Sequence, residues 1–195
     1  MERNTWETHF RAVPFAILTV SICQILFYVF STPSVKQFLR HDPSNPLEVW
    51  RYLTYMLVHE DWFHLLLNLV VQCIFAALLE DRQGRIRVLI LYVLGGVIGS
   101  LGAAWLRSAL LVGASAGGYS LLLTSFVDLL RNRHTINHRK VRSIFTPTVI
   151  ITDMIYHVYM RETQVSWQAH LFGALTGLVL DHLNRVVGQN VHVKV

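Results

Sequence analysis

What most limits the folds open to this chain is the length of its apolar runs. Six blocks, at roughly 12–30, 59–79, 86–106, 111–130, 144–160 and 167–184, approach or reach the ~20 residues that a helix needs to cross ~30 Å of hydrocarbon. Inside hydrocarbon a backbone must satisfy its own hydrogen bonds, so each block is read as a helix. Composition points the same way: only 15% of the residues are charged, against about 25% in soluble domains. We therefore expect an all-α polytopic membrane protein with six transmembrane helices, forming one integral domain over 1–195. Short cytoplasmic segments are expected at 1–11 and 185–195. The run from Pro14 to Phe30 is read as the first span rather than a cleaved signal, because no convincing small-residue cleavage site accompanies it. The fifth and sixth blocks are the most polar, carrying Asp153 and His157, and His170, Asp181 and His182.

The net charge of +5 does not point to nucleic acid, because the basic residues sit in short connectors between apolar blocks. There they set membrane orientation. With both termini on one side, that side holds Arg3, Arg11, Arg82, Arg85, Arg87, Arg131, Arg133, Arg139, Lys140, Arg142, Arg185 and Lys194. That is twelve of the seventeen lysines and arginines, leaving five for the other face. Both termini are therefore expected in the cytoplasm, and the second, fourth and sixth spans run inward from the outer face. The longest connector, 31–58, contains Pro33, Pro43 and Pro46 and then Trp50 and Arg51. Cys23 and Cys73 lie inside apolar blocks and read as small buried residues, not as a disulfide or a metal site. No cofactor and no metal are expected.

Polar residues inside a bilayer are costly, which makes them functional candidates. His64 and Asn68 lie in the second span, Ser115 early in the fourth and His170 early in the sixth. All three spans start from the outer face, so these residues should meet at similar depth. A serine hydroxyl is a poor nucleophile until a base takes its proton, and neutral histidine does this near neutral pH. His170 is the base best placed for Ser115. Acyl transfer then builds negative charge on a carbonyl oxygen. His64 and Asn68, at i and i+4, share a helical face and supply donors to it, and the Ser115 N–H adds a third. His59, five residues earlier, is expected to line the same pocket. Taken singly, each of these residues has an ordinary structural role: serine for close helix packing, histidine at a helix end, asparagine bonding a neighbour. The joint pattern across three spans is what singles them out.

These residues carry a strong resemblance to the rhomboid family of intramembrane serine proteases, closest in style to its animal secretase-type members. EVWRYLTYMLVHEDWFHLLLNLVVQ resembles the family's first loop and second helix, with Trp50–Arg51, His59, His64 and Asn68. VGASAGGYSLL resembles the nucleophile motif, with Gly113 ahead of Ser115 and Tyr119 placed to pack on the histidine ring. AHLFGALTGL resembles the sixth-helix motif, with His170 followed by Gly173 and Gly177. The resemblance implies a Ser–His dyad, a first loop partly in the outer leaflet, and lateral access for transmembrane protein substrates, with membrane lipid as surroundings. It departs from the family at Ala116, where glycine usually follows the serine, and the extra methyl is expected to tighten the oxyanion site.

The function expected is cleavage of transmembrane helices of single-span proteins near the outer or lumenal face, in the secretory pathway or plasma membrane. The alternatives are an inactive rhomboid-like protein that binds transmembrane clients, and a small transporter using Asp128, Asp153, His157 and Asp181 as a proton path. No carboxylate is expected to orient His170. Asp128 is 13 residues beyond Ser115 and Asp181 is 11 beyond His170, roughly 20 Å and 16 Å along a helix. Asp153, mid-span in the fifth block, is the open case.

Overall fold

The structure, a computed structural model, describes residues 14–106, 110–132, 139–160 and 166–192, without the side chains of 81, 141, 156–160 and 187–192. The expected N-terminal segment 1–11 and the side chain of His157 lie outside the described residues. Eight α-helices are described: α1 (Phe15–Phe30), α2 (Pro33–Leu39), α3 (Arg51–Thr54), α4 (Trp62–Gln83), α5 (Arg85–Trp105), α6 (Ser115–Arg131), α7 (Arg139–Met160) and α8 (Trp167–His192). Two of them, α4 over Trp62–Glu80 and α5, are long and apolar enough to cross a membrane by length and composition, and α1 is a shorter apolar helix.

Local chemistry sets several boundaries. The Asp61 side chain caps α4 by accepting from the His64 N–H at 2.8 Å. Gly84, at φ 80°, separates α4 from α5. α6 begins at Ser115 rather than in the 111 region, because Leu111 is drawn into a two-bond backbone bridge with His41. α8 continues through the segment expected as a tail from 185 and is helical to His192.

α6 is the central helix, packed against α8, α5, α4 and α7, while α1 lies on α4 and α5. Backbones meet where side chains are smallest. A Cβ on Gly177 would stand 2.8 Å from Thr124 Oγ1, and one on Gly99 would stand 2.7 Å from the Ala116 methyl.

Buried polar residues bond one another inside a mainly apolar core, and the outside is apolar as well. Gln72 Nε2 donates to Ser21 Oγ at 2.7 Å and to Gln24 Oε1 at 2.8 Å. Tyr92 OH donates to Gln72 Oε1 at 2.8 Å, and Gln24 Nε2 donates to the Met56 carbonyl at 3.0 Å. This network ties α1 to α4 and α5. Ile22, Leu26, Ile90, Ile98, Leu175 and Val179 point outward and are exposed. Hydrocarbon is a solvent that accepts such a surface. Cys23, expected to be buried, is on the exposed face; Cys73 is half-buried with Sγ 3.4 Å from Ser21 Oγ.

At the end of α6 remote from Ser115, Asp128 and Asp181 are buried. Arginines hold them there. Asp181 is 2.8 Å from Arg185 Nε and 3.3 Å from Arg131 Nη1, and Asp128 is 3.3 Å from Arg142 Nη1. Arg142, itself buried, also donates to the Leu78 carbonyl of α4. A buried carboxylate is tolerated only with such partners.

Candidate active site

α4, α6 and α8 all begin at one end of the bundle, so His64, Ser115 and His170, each in its helix's first turn, come together there. Gly113 makes this possible for α6. Its φ of 97° turns the chain into the helix, and its N–H is held by the Val58 carbonyl at 2.7 Å. A Cβ on Gly113 would lie 2.6 Å from Cε1 and Nε2 of His64, so the glycine also makes room for that ring.

Ser115 Oγ is 2.6 Å from His170 Nε2. The His170 ring stacks on Tyr119, with centroids 4.5 Å apart and planes 13° from parallel. On the opposite edge of the imidazole the structure departs from expectation: the Asp153 carboxylate of α7 lies beside it, with Oδ2 3.1 Å from Nδ1. Tyr119 OH donates to the same Oδ2 at 2.8 Å. A carboxylate thus stands beside this histidine, at the one position, Asp153, that the sequence left open. Asp128 and Asp181 are remote, as the helix lengths required. Of the proton path through Asp128, Asp153, His157 and Asp181, arginines hold Asp128 and Asp181 at the end remote from Asp153, and the side chain of His157 lies outside the described residues.

His64 and Asn68 share a face of α4, and Asn68 Nδ2 donates to the His64 carbonyl at 2.9 Å, leaving its second N–H hydrogen for another acceptor. Both border a cavity of about 210 Å³ whose walls also include Ser115, Tyr119, Asp153, Val71, Phe145 and Val149. It is a mainly apolar slot between α4, α6 and α7, with Ser115, His64, Asn68 and Asp153 among its polar walls. The first N–H groups of α6 have no intrahelical acceptor, and the helix dipole makes this a favourable place for negative charge. His59 does not line the cavity as expected. It is fully buried behind His64, edge-on at 5.2 Å between ring centroids. The Ala116 methyl faces Gly99 of α5.

The remaining expected residues support this end from outside. Arg51 Nη1 donates to the carbonyls of Arg40 at 2.8 Å and Gln37 at 3.1 Å, and its Nε is 2.5 Å from Glu48. Trp50 stacks on Phe38 at 5.5 Å. Together they fold the connector 31–58 onto itself. Tyr55 OH then donates to the Gly96 carbonyl at 2.8 Å, docking the connector on α5. Gly173 and Gly177 of α8 lie against the backbone of Ala116 and Ser120 of α6.

Comparison with known proteins adds a lineage to this geometry. The chain is 32% identical over 133 residues to rhomboid-related protein 3 of Homo sapiens, covering 61% of this chain and 33% of the human one. It is 25% identical over 180 residues to rhomboid-like protease 3 of Toxoplasma gondii, covering 85% and 67%. It is also 26% identical over 189 residues to inactive rhomboid-related protein 2 of Caenorhabditis elegans, covering 87% and 54%. The chain thus spans a third of the human relative and about half of the worm one. The relatives include proteins named as proteases and one named inactive, so lineage alone leaves the chemistry to the site. A match to the rhomboid domain extends over residues 46–184, well over half of the chain, and on that ground the chain belongs to the rhomboid family and is an integral membrane protein.

Proposed function

We propose that this chain is an intramembrane serine endopeptidase that cleaves transmembrane helices of single-span proteins near the outer or lumenal face. The observation that carries the reading is the 2.6 Å approach of Ser115 Oγ to His170 Nε2 at the head of an apolar cavity. A serine within hydrogen-bond reach of a held imidazole is the arrangement that acyl transfer requires. Ser115 is the nucleophile and His170 the general base. As Oγ bonds to the scissile carbonyl carbon, its proton passes to Nε2, and the carbonyl oxygen becomes an oxyanion. The Ser115 N–H, His64 and Asn68 are its donors. When the C–N bond breaks, Nε2 returns the proton to the leaving amine and the substrate's acyl half stays on Oγ. Water then gives a proton to Nε2 as its oxygen bonds to the acyl carbon, and Nε2 passes that proton to Oγ as the C–Oγ bond breaks, which frees the acid and restores Ser115. The donors act only where charge develops, so they accelerate the chemistry rather than tighten ground-state binding.

The multi-pass arrangement we propose has six spans, α1 and α4 to α8, with both termini cytoplasmic, in the secretory pathway or plasma membrane. The arginine-rich ends of α4, α6 and α8 then face the cytoplasm and the Ser115 end faces outward. The test is reaction of the purified chain with a serine-directed fluorophosphonate, alongside cleavage of a panel of single-span substrates. Labelling and cleavage by the wild type, and neither by Ser115→Ala or His170→Ala, is the expected result. A wild-type chain that binds single-span proteins yet neither labels nor cuts would turn the reading to a client-binding rhomboid.

A further inference from the structure

We propose that Asp153 is a positioning residue for this chemistry, holding His170 through Nδ1, so that Ser115, His170 and Asp153 act as a triad with Tyr119 as its clamp. The inference rests on the protease reading above and deepens it. Oδ2 of Asp153 faces two groups at once: the Tyr119 hydroxyl at 2.8 Å and His170 Nδ1 at 3.1 Å. An ionised carboxylate only accepts, and one of its oxygens can take two hydrogen bonds. The arrangement therefore places the imidazole proton on Nδ1. That tautomer leaves the Nε2 lone pair directed at Ser115 Oγ, 2.6 Å away, where a proton acceptor is needed. With the opposite tautomer Nε2 would carry a hydrogen and be unable to take the serine proton.

Tyr119 acts on both partners. Its ring lies flat on His170 at 4.5 Å while its hydroxyl fixes the carboxylate. The imidazole is held in its plane by stacking and about its axis by Asp153. When Nε2 is protonated in the transition state, a negative group beside Nδ1 stabilises the imidazolium, and it does so more strongly away from water. The three residues come from three helices, α6, α7 and α8, so the unit forms only when α7 is seated on α6.

A plainer role for Asp153 is an interhelical bond to Tyr119 that only holds α7 in place. Kinetics on Asp153→Asn separates the two, with rates normalised to the concentration of folded protein. The tautomer argument predicts a fall in kcat of about 10²–10⁴, the upper figure being the cost of the same change in a soluble triad. KM should stay within about threefold and the thermal midpoint should hold. On a His170→Ala background the same substitution should cost nothing more, because Asp153 acts through that ring. Tyr119→Phe, which keeps the stacking face and removes the clamp, should lose kcat less than Asp153→Asn does.

Asp153→Asn with kcat near wild type overturns the proposal while leaving Ser115 and His170 intact. A loss of activity that merely follows a fall in the folded fraction overturns it too, in favour of the interhelical role. A further loss on the His170→Ala background would show that Asp153 does not work through His170. A wild-type chain that neither cuts nor labels refutes the protease reading itself, and the triad with it.

Discussion

Gly173→Ala offers the sharpest test of how the fold builds the site. Gly173 is one helical turn beyond His170 on α8, and it rests on the backbone of Ala116, next to Ser115. A Cβ there would run into the Ala116 carbonyl oxygen and stand 2.9 Å from its carbonyl carbon and 3.0 Å from its Cα. Carbon contacts are at rest near 3.5–4.0 Å, so α8 must back away from α6 by about 1 Å. No flexible side chain is available to absorb the strain, since all three atoms belong to the backbone. The same shift takes His170 Nε2 from 2.6 Å to beyond hydrogen-bond reach of Ser115 Oγ. Overpacking of this kind costs about 1–3 kcal/mol of stability, and a 1 Å misplacement at a reacting centre costs about 10²-fold in rate. Thermal unfolding in detergent and single-turnover cleavage in liposomes measure the two effects. Gly118→Ala is the control, because its Cβ would meet only Val71 Cγ1 at an ordinary 3.5 Å. A Gly173→Ala protein with wild-type unfolding and wild-type turnover would show that the α6–α8 contact does not set the distance between Ser115 and His170.

Other substitutions address separate parts of the site. His64→Ala and Asn68→Ala should each lower kcat by about 10²–10³ with little change in KM, as loss of an oxyanion donor does; wild-type kcat would make either a packing residue. Gly113→Ala combines a backbone at φ 97° with a collision against the His64 ring, and should reduce both turnover and thermal midpoint; unchanged values would mean that the turn relaxes without cost. His41, in the connector, is buried, and burial holds its imidazole down to about 4 despite the nearby Asp42 carboxylate. A folded value below the unfolded one means the unfolded chain binds more protons between about pH 6.5 and 4, so this increment of stability is present above pH 6.5 and lost as pH falls through that window. Thermal midpoints from pH 7.5 to 4.5 should therefore fall less for His41→Phe, which keeps a ring beside Tyr52, and equal slopes would exclude His41 as a source of the acid sensitivity.

The long helices were legible in the sequence because one solvent imposes one rule: apolar length. The apolar blocks at 59–79 and 86–106 became α4 and α5 to within a few residues. Boundaries shifted where local chemistry overrides hydropathy. Apolar Leu111 and Val112 belong to the approach to α6, not to the helix, because the Leu111 backbone pairs with His41 some seventy residues earlier. No periodicity announces such a pairing. The polar network of Ser21, Gln24, Gln72 and Tyr92 is illegible in sequence for a different reason. Each is a lone polar residue in an apolar block, and only their meeting in space reveals that they satisfy one another. Their position inside the blocks was the available signal, since an amide in hydrocarbon needs a partner.

At the site the readable part and the unreadable part differ in the length of chain that connects them. Ser115 and Tyr119 are one turn apart on α6, so their common face follows from helical spacing alone. The depth of His170 follows from counting residues from the start of a span. Neither rule reaches Asp153. Placing it requires knowing how far α7 is rotated about its axis, and one residue of rotation turns a side chain by 100°, enough to move a carboxylate from the imidazole to the lipid. Pro147 in the middle of α7 makes counting from either end still less informative. What the sequence did contain was the energetic anomaly: a carboxylate in the middle of an apolar block needs a donor. Arg142, about three turns before it on the same helix, is committed to Asp128 and the Leu78 carbonyl at the far end. The Tyr119 hydroxyl and His170 Nδ1 are the donors that α6 and α8 bring to it, and those same two helices bring Ser115 to Nε2. The donors that make Asp153 tolerable inside the bundle are thus the groups that its charge would set in order for catalysis.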